Sequence, residues 1–174
     1  MRDNINDRLE ITGIEIVKIR EIGDGGGCVY YDKTSSACKI YDQRPAQCAA
    51  LACWDNSEFM RVYAEPKARR REIMQDRIVL GLMEEHDRRC DYGDLEKHVR
   101  RIEREGEKAV ERIIEMLKFD YHLRPFISEK MEIEPGEMDF IFGRPLIETI
   151  IMFGLHVRRE SDGSFYLTPK LPLP

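Results

Sequence analysis

Between residues 74 and 90, side chains that can face a core recur every four positions: Met74, Ile78, Leu82, His86 and Cys90. That spacing predicts one long helix starting near Pro66. A second stripe runs Leu95, Val99 and Ile102, then Val110, Ile113 and Leu117, with Asp94 placed to cap it and Gly106 a weak point in its middle. The two read as an antiparallel pair. Pro125 opens a further short helical piece, and EPGE at residues 134–137 is a turn. FGRPLIETIIMFG sets Pro145 at a helix start and Gly154 at its end. The segment LHVRRESDGSFYLT then reads as a hairpin about Ser161, Asp162 and Gly163.

The pattern before residue 66 is different. Residues 11–22 place Ile14 and Ile16 on one parity and Val17 and Ile19 on the other, as in a strand partly covered on both faces, and GDGGG breaks it. Residues 28–32 and 38–42 are short β-prone segments around KTSSA. At Arg44 and Pro45 the character changes again, because proline suits a first helical position, and AQCAALAC begins a short helix. The fold class expected is α+β, mostly helical: a small N-terminal β and loop module, a long antiparallel helix pair, and a C-terminal helix plus β-hairpin. The module is expected over residues 1–64 and the helical region over 65–174, packed as one domain.

Composition narrows the function classes. Apolar residues make up 42% and charged ones 35% of 174 residues, as in a globular chain with charged helix faces. The formal charge of −5 speaks against coating nucleic acid, which requires a basic surplus. The basic run KARRRE at residues 67–72 is interleaved with Glu65, Glu72 and Asp76 and reads as a solvated helix face. The helix and hairpin after Pro145 could imitate a winged helix, but that helix is too apolar to lie in a groove. MRDNINDRLE lacks the order of a secretory signal, and the longest apolar run, around LIETIIMFGL, is about half the roughly 20 residues that a bilayer span needs. The expectation is a cytoplasmic protein off the membrane, with its thiols in a reducing compartment and its oligomeric state open. No nucleophile motif appears, and the carboxylates are spread over helix faces.

Candidate chemistry lies in four of the five cysteines, Cys28, Cys38, Cys48 and Cys53, spaced C-x9-C-x9-C-x4-C. Four thiolates suit zinc or an iron centre, including an iron–sulfur cluster, and Lys39 and Arg44 could offset their charge. The spacing is not the paired knuckle of common zinc sites, so ordinary loop or buried thiols stay open as a reading. On a regular helix Cys48 and Cys53 would point about 140° apart, so a shared metal requires that helix to end before Cys53. His86 and Cys90, at i and i+4, share a face and could join a metal, or His86 could be a core histidine with one partner. His98, His122 and His156 have no partner at ligand spacing.

The framing C-V-Y-Y-D, then C-K-I-Y-D-Q-R-P-A-Q-C, then L-A-C-W resembles the YkgJ-like cysteine-cluster family, described as zinc- or iron-chelating. The resemblance covers about residues 10–60, with an H-x2-R-C element at His86 to Cys90. It implies Cys28, Cys38, Cys48 and Cys53 as metal ligands, with Arg44 and Pro45 shaping the turn before Cys48. Members usually carry a C-x2-C-x3-C-C-like element upstream; no cysteine precedes Cys28 here, so the expectation is the surviving half of a site. A methylase-like enzyme or accessory is a further implication of the resemblance, although no glycine-rich loop opens a helix that would bind a methyl donor. A metal-free helical adaptor that binds a protein partner is the rival from another class.

Overall fold

The computed structural model describes residues 2–3, 8–9, 17–22 and 27–169, and the chain divides into two compact units. One is Glu15–Arg69; the other joins Met1–Ile14 to Arg70–Pro174. The first unit holds four two-residue strands, β3 (Glu21–Ile22), β4 (Gly27–Cys28), β5 (Tyr31–Asp32) and β6 (Ala37–Cys38), and two short helices, α1 (Ala46–Ala50) and α2 (Ser57–Ala64). The N-terminal pair β1 (Arg2–Asp3) and β2 (Arg8–Leu9) is counted with the second unit.

The second unit is helical: α3 (Arg70–Ile73), α4 (Arg77–Arg89), α5 (Tyr92–Glu105), α6 (Glu107–Lys130), α7 (Met138–Phe142) and α8 (Leu146–Thr149), closed by the hairpin β7 (Leu155–Arg159) and β8 (Phe165–Pro169). The expected α+β class with a long helix pair and a C-terminal helix and hairpin is what the fold shows. Two apolar clusters fill this unit. Leu95, Ile113, Leu117, Leu146, Ile150, Leu155 and Phe165 are buried with Cys90 in one; Val79, Met83, Ile127, Met138, Ile141 and Phe142 form the other.

Several expectations are corrected in detail. The helix expected from Pro66 to Cys90 is two, because Asp76 restarts the chain: its side chain accepts from the backbone N–H groups of Ile78 and Val79. The restart shifts the phase, so Val79, Met83 and His86 face inward and Ile78 is 68% exposed. Asp91, not Asp94, caps α5 by accepting from the Asp94 N–H. Gly106 is a break and not a weak point. At φ 55° and ψ −128° it occupies backbone space that glycine alone enters freely, so α6 leaves α5 there and folds back along it. The long pair is therefore α5 with α6. Pro125 starts nothing: α6 runs through it, held by Arg124 and Ile127 buried on either side, although the Tyr121 carbonyl loses its i+4 donor.

Pro145 and Gly154 stand where expected, just before α8 and just after the 3-10 turn that extends it, with Gly154 left-handed at φ 74°. EPGE is a turn, with a 3-10 stretch over Pro135–Glu137. In the first unit, the strand expected over residues 11–22 falls partly outside the described residues, as does most of GDGGG; of the remainder, 17–20 have no regular structure and only Glu21–Ile22 pair. The β-prone segment 38–42 is mostly turn, with a 3-10 stretch over Tyr41–Gln43.

Candidate metal centre

The cysteine unit is held by local bonds. The β5–β6 hairpin turns at residues 33–36, as KTSSA predicted: Asp32 Oδ1 accepts from the Thr34 N–H at 2.9 Å, and Ser36 takes the left-handed φ of 52°. The register pairs Cys38 with Tyr31, while Cys28 pairs with Glu21 on a different ladder, so neither thiol has the other as its cross-strand neighbour. The Ile-Tyr and Arg-Pro framing has a structural meaning. Arg44 donates from Nε to the Tyr41 carbonyl at 2.8 Å, and its guanidinium lies 3.7 Å from the Tyr41 ring centre. That clamp closes the turn, and Pro45, at φ −52° and ψ 149°, delivers extended backbone straight into α1, standing one place earlier than a first helical residue.

Helix α1 carries Cys48 and stops at Ala50; Leu51 is extended at φ −75° and ψ 112°. Cys53 then sits in a tight turn closed by the Ala52–Asp55 bridge, and Asp55 accepts from the Ser57 N–H at 2.9 Å to start α2. The condition for a shared metal is met, because the 140° rotation of a regular helix no longer separates Cys48 from Cys53.

All four cysteines are free of disulfides; Cys28, Cys48 and Cys53 are exposed and Cys38 half-buried. The donor set fits zinc or iron in its chemistry. Its arrangement does not yet form a site: among the described residues no three His, Cys, Asp or Glu side chains gather at metal-holding distance. Among the described residues of Glu15–Arg69 not one is buried, and Trp54 is 90% exposed.

His86 and Cys90 lie in the helical unit and have other roles there. His86 is buried and its Nε2 is 2.8 Å from Asp120 Oδ1, the core histidine with one partner; Cys90 belongs to an apolar cluster. Sequence reading missed this network. Asp120 is fully buried, also accepting from Arg124 Nε at 2.8 Å and from the Leu146 N–H at 2.7 Å. Arg124 reaches the Met138 and Phe142 carbonyls, both at 3.4 Å, and so ties α6 to α7. The signal was available: Ile113, Leu117, Asp120, Arg124 and Ile127 follow one helical stripe, and two charges on an apolar stripe mark a buried pair.

Burial disfavours the His86 imidazolium, but the Asp120 carboxylate, with Asp87 and Cys90 beside it, outweighs that and holds its pKa up to about 10 from 6.5. For Asp120, burial pushes the carboxyl up, and the bonds from His86 and Arg124 prevail and hold it below the usual carboxylate range. The sign for His86 follows from linkage. A raised folded pKa means stability that is complete below 6.5 and is lost as pH climbs toward 10. Thermal melts between those limits should therefore show a falling midpoint, and His86→Gln, which keeps a donor without the titration, should flatten the curve. A wild-type midpoint level across the window would contradict the assignment.

No helix among the described residues is long and apolar enough to cross a membrane. No curated protein and no solved structure matches the chain. A family model does: residues 3–65 match CxxCxxCC, "Putative zinc- or iron-chelating domain", a stretch that takes in all four clustered cysteines and the Arg44–Pro45 turn. Residues 3–65, about a third of the chain, are thus similar to the CxxCxxCC domain, in keeping with the resemblance of the cysteine framing to the YkgJ-like cluster.

Proposed function

We propose that the chain chelates a zinc or iron ion through Cys28, Cys38, Cys48 and Cys53, and that the ion supplies a core for residues 15–69, of which no described residue is buried. The observation that carries this is the pairing of four free thiols with a unit in which no described side chain is buried. A unit of that size without a core, disulfide or metal has too little buried apolar surface to offset chain entropy. Structural metal sites contribute folding energy directly, and thiolate ligands about 2.3 Å from one ion would draw these loops together. Arg44 and Pro45 act as turn-formers: the clamp on Tyr41 is local and independent of the thiols, so it can present Cys48 whether or not metal is bound.

The test is metal analysis and a visible spectrum of chain purified anaerobically from cells supplied with zinc and iron. One equivalent of zinc, or iron with sulfide in cluster stoichiometry, lost in the Cys48→Ser, Cys53→Ser double variant, supports the reading. A colourless zinc form and a brown sulfide-containing form separate mononuclear zinc from an iron–sulfur cluster. Chain free of metal from such a preparation would leave the four cysteines as ordinary thiols and sink the proposal.

A further inference from the structure

Helix α6 is apolar on more than one side. Its Ala109, Ile113, Leu117 and Ile127 stripe is buried, while Phe119 and Leu123, half-buried at the edge of the two apolar clusters, and Phe126, 55% exposed, line a cleft of about 760 Å³ on the adjoining face. A helix with two apolar faces is expected to be covered on both. Arg89, at the end of α4, forms one wall, its guanidinium stacked 3.7 Å from the Phe119 ring centre. Lys118 and His122 stand along the same cleft, as does Glu115.

The charge along this cleft leans positive despite the chain's formal −5. Glu115 is taken by Arg112 at 2.9 Å. Glu85, 4.0 Å from Arg89, is bound more closely by Arg88 at 2.6 Å. The Asp162 carboxylate, which acts on Lys118 from the hairpin turn, accepts from Ser164 Oγ at 2.6 Å. Two cations, Arg89 and Lys118, therefore border the apolar floor with the His122 imidazole beside them, while Glu115 and Glu85 are held in ion pairs by Arg112 and Arg88. From position 115 to 126 the cleft runs about 16 Å, roughly three turns of a helix.

We propose that this cleft docks an acidic amphipathic helical segment of a partner protein, with its apolar side chains against Phe119, Leu123 and Phe126 and its carboxylates toward Arg89, Lys118 and His122. Charge complementarity selects an anionic partner, and the apolar floor selects side chains over phosphates. This inference concerns the helical unit alone and does not depend on the metal.

The experiment uses the full chain and a fluorescein-labelled peptide of Glu residues with Leu and Phe at i, i+4 and i+7, read by anisotropy. The same peptide with Lys for Glu, and vesicles of phosphatidylcholine and phosphatidylglycerol, are the comparisons. Saturable binding of the acidic peptide is expected, weakened about tenfold by Lys118→Glu and by Phe126→Ser, with the charge variant also losing salt dependence. Both side chains are exposed, so far-UV circular dichroism should stay unchanged. Equal binding of the Lys peptide, indifference to both substitutions, association with vesicles alone, or no binding at millimolar peptide would each overturn the proposal.

Discussion

Replacing Asp120 by alanine should destabilise the helical unit by about 3–5 kcal/mol, the cost of removing one partner of a buried ion pair. The carboxylate is fully buried and accepts three bonds, from His86, Arg124 and the Leu146 N–H. Its loss strands a charged imidazole and a guanidinium that is only 10% exposed. It also removes the acceptor at the start of α8, where Pro145 stands at the cap position and has no side chain that could accept the Leu146 N–H. Urea unfolding followed by far-UV circular dichroism measures the loss, since the long helices all lie in this unit. Asp120→Asn should recover part of it, keeping an acceptor for one donor but not the charge. Substituting His86, Asp120 and Arg124 together by apolar residues of like volume should recover more, because no uncompensated charge then remains. A loss below about 1 kcal/mol for the alanine variant would mean that water reaches the network and that it does not tie α4, α6, α7 and α8 together.

The same network marks the limit of what the sequence reveals. Pro145, Gly154 and the hairpin about Gly163 were legible because each depends on a backbone preference carried by one residue. The phase of α4 was not: Met74 and Ile78 look like one stripe until Asp76 is seen to restart the helix between them, after which Val79 and not Ile78 meets the core. Gly106 could be read as a tolerated glycine or as a break, and only its positive φ decides. Asp120 and Arg124 stood on an apolar stripe in plain view, but their burial becomes interpretable only with His86, 34 residues away. For the cysteines the chemistry was legible and the geometry was not. Thiol type and the Arg44–Pro45 frame belong to local sequence, whereas ligand gathering is a property of loops in which no described residue is buried.

Adding zinc to chelator-treated, reduced chain should shift and brighten or quench the emission of Trp54 while leaving most far-UV ellipticity in place. Trp54 is the single tryptophan of the chain, directly follows Cys53 and is 90% exposed. It therefore reports on the cysteine unit alone, whereas ellipticity comes mainly from helices α4 to α6 in the other unit. If four thiolates close on one ion, the turn at Ala52–Asp55 is drawn inward and the indole changes its solvent contact. Apparent binding energies of structural zinc in small domains are about 10–16 kcal/mol near neutral pH, most of which appears as folding. Protection of residues 27–69 against a protease should rise by orders of magnitude on loading, with Arg70–Pro174 unaffected. Thiols must also shed their protons to bind as thiolates, so the apparent affinity should fall steeply with acid, by more than one proton per ion. Cys28→Ser tests how many thiols take part: a protein that still responds at full affinity uses three or fewer of them. Emission and protection that both ignore zinc would show that these thiols hold no metal, and the unit would then owe its order to something other than an ion.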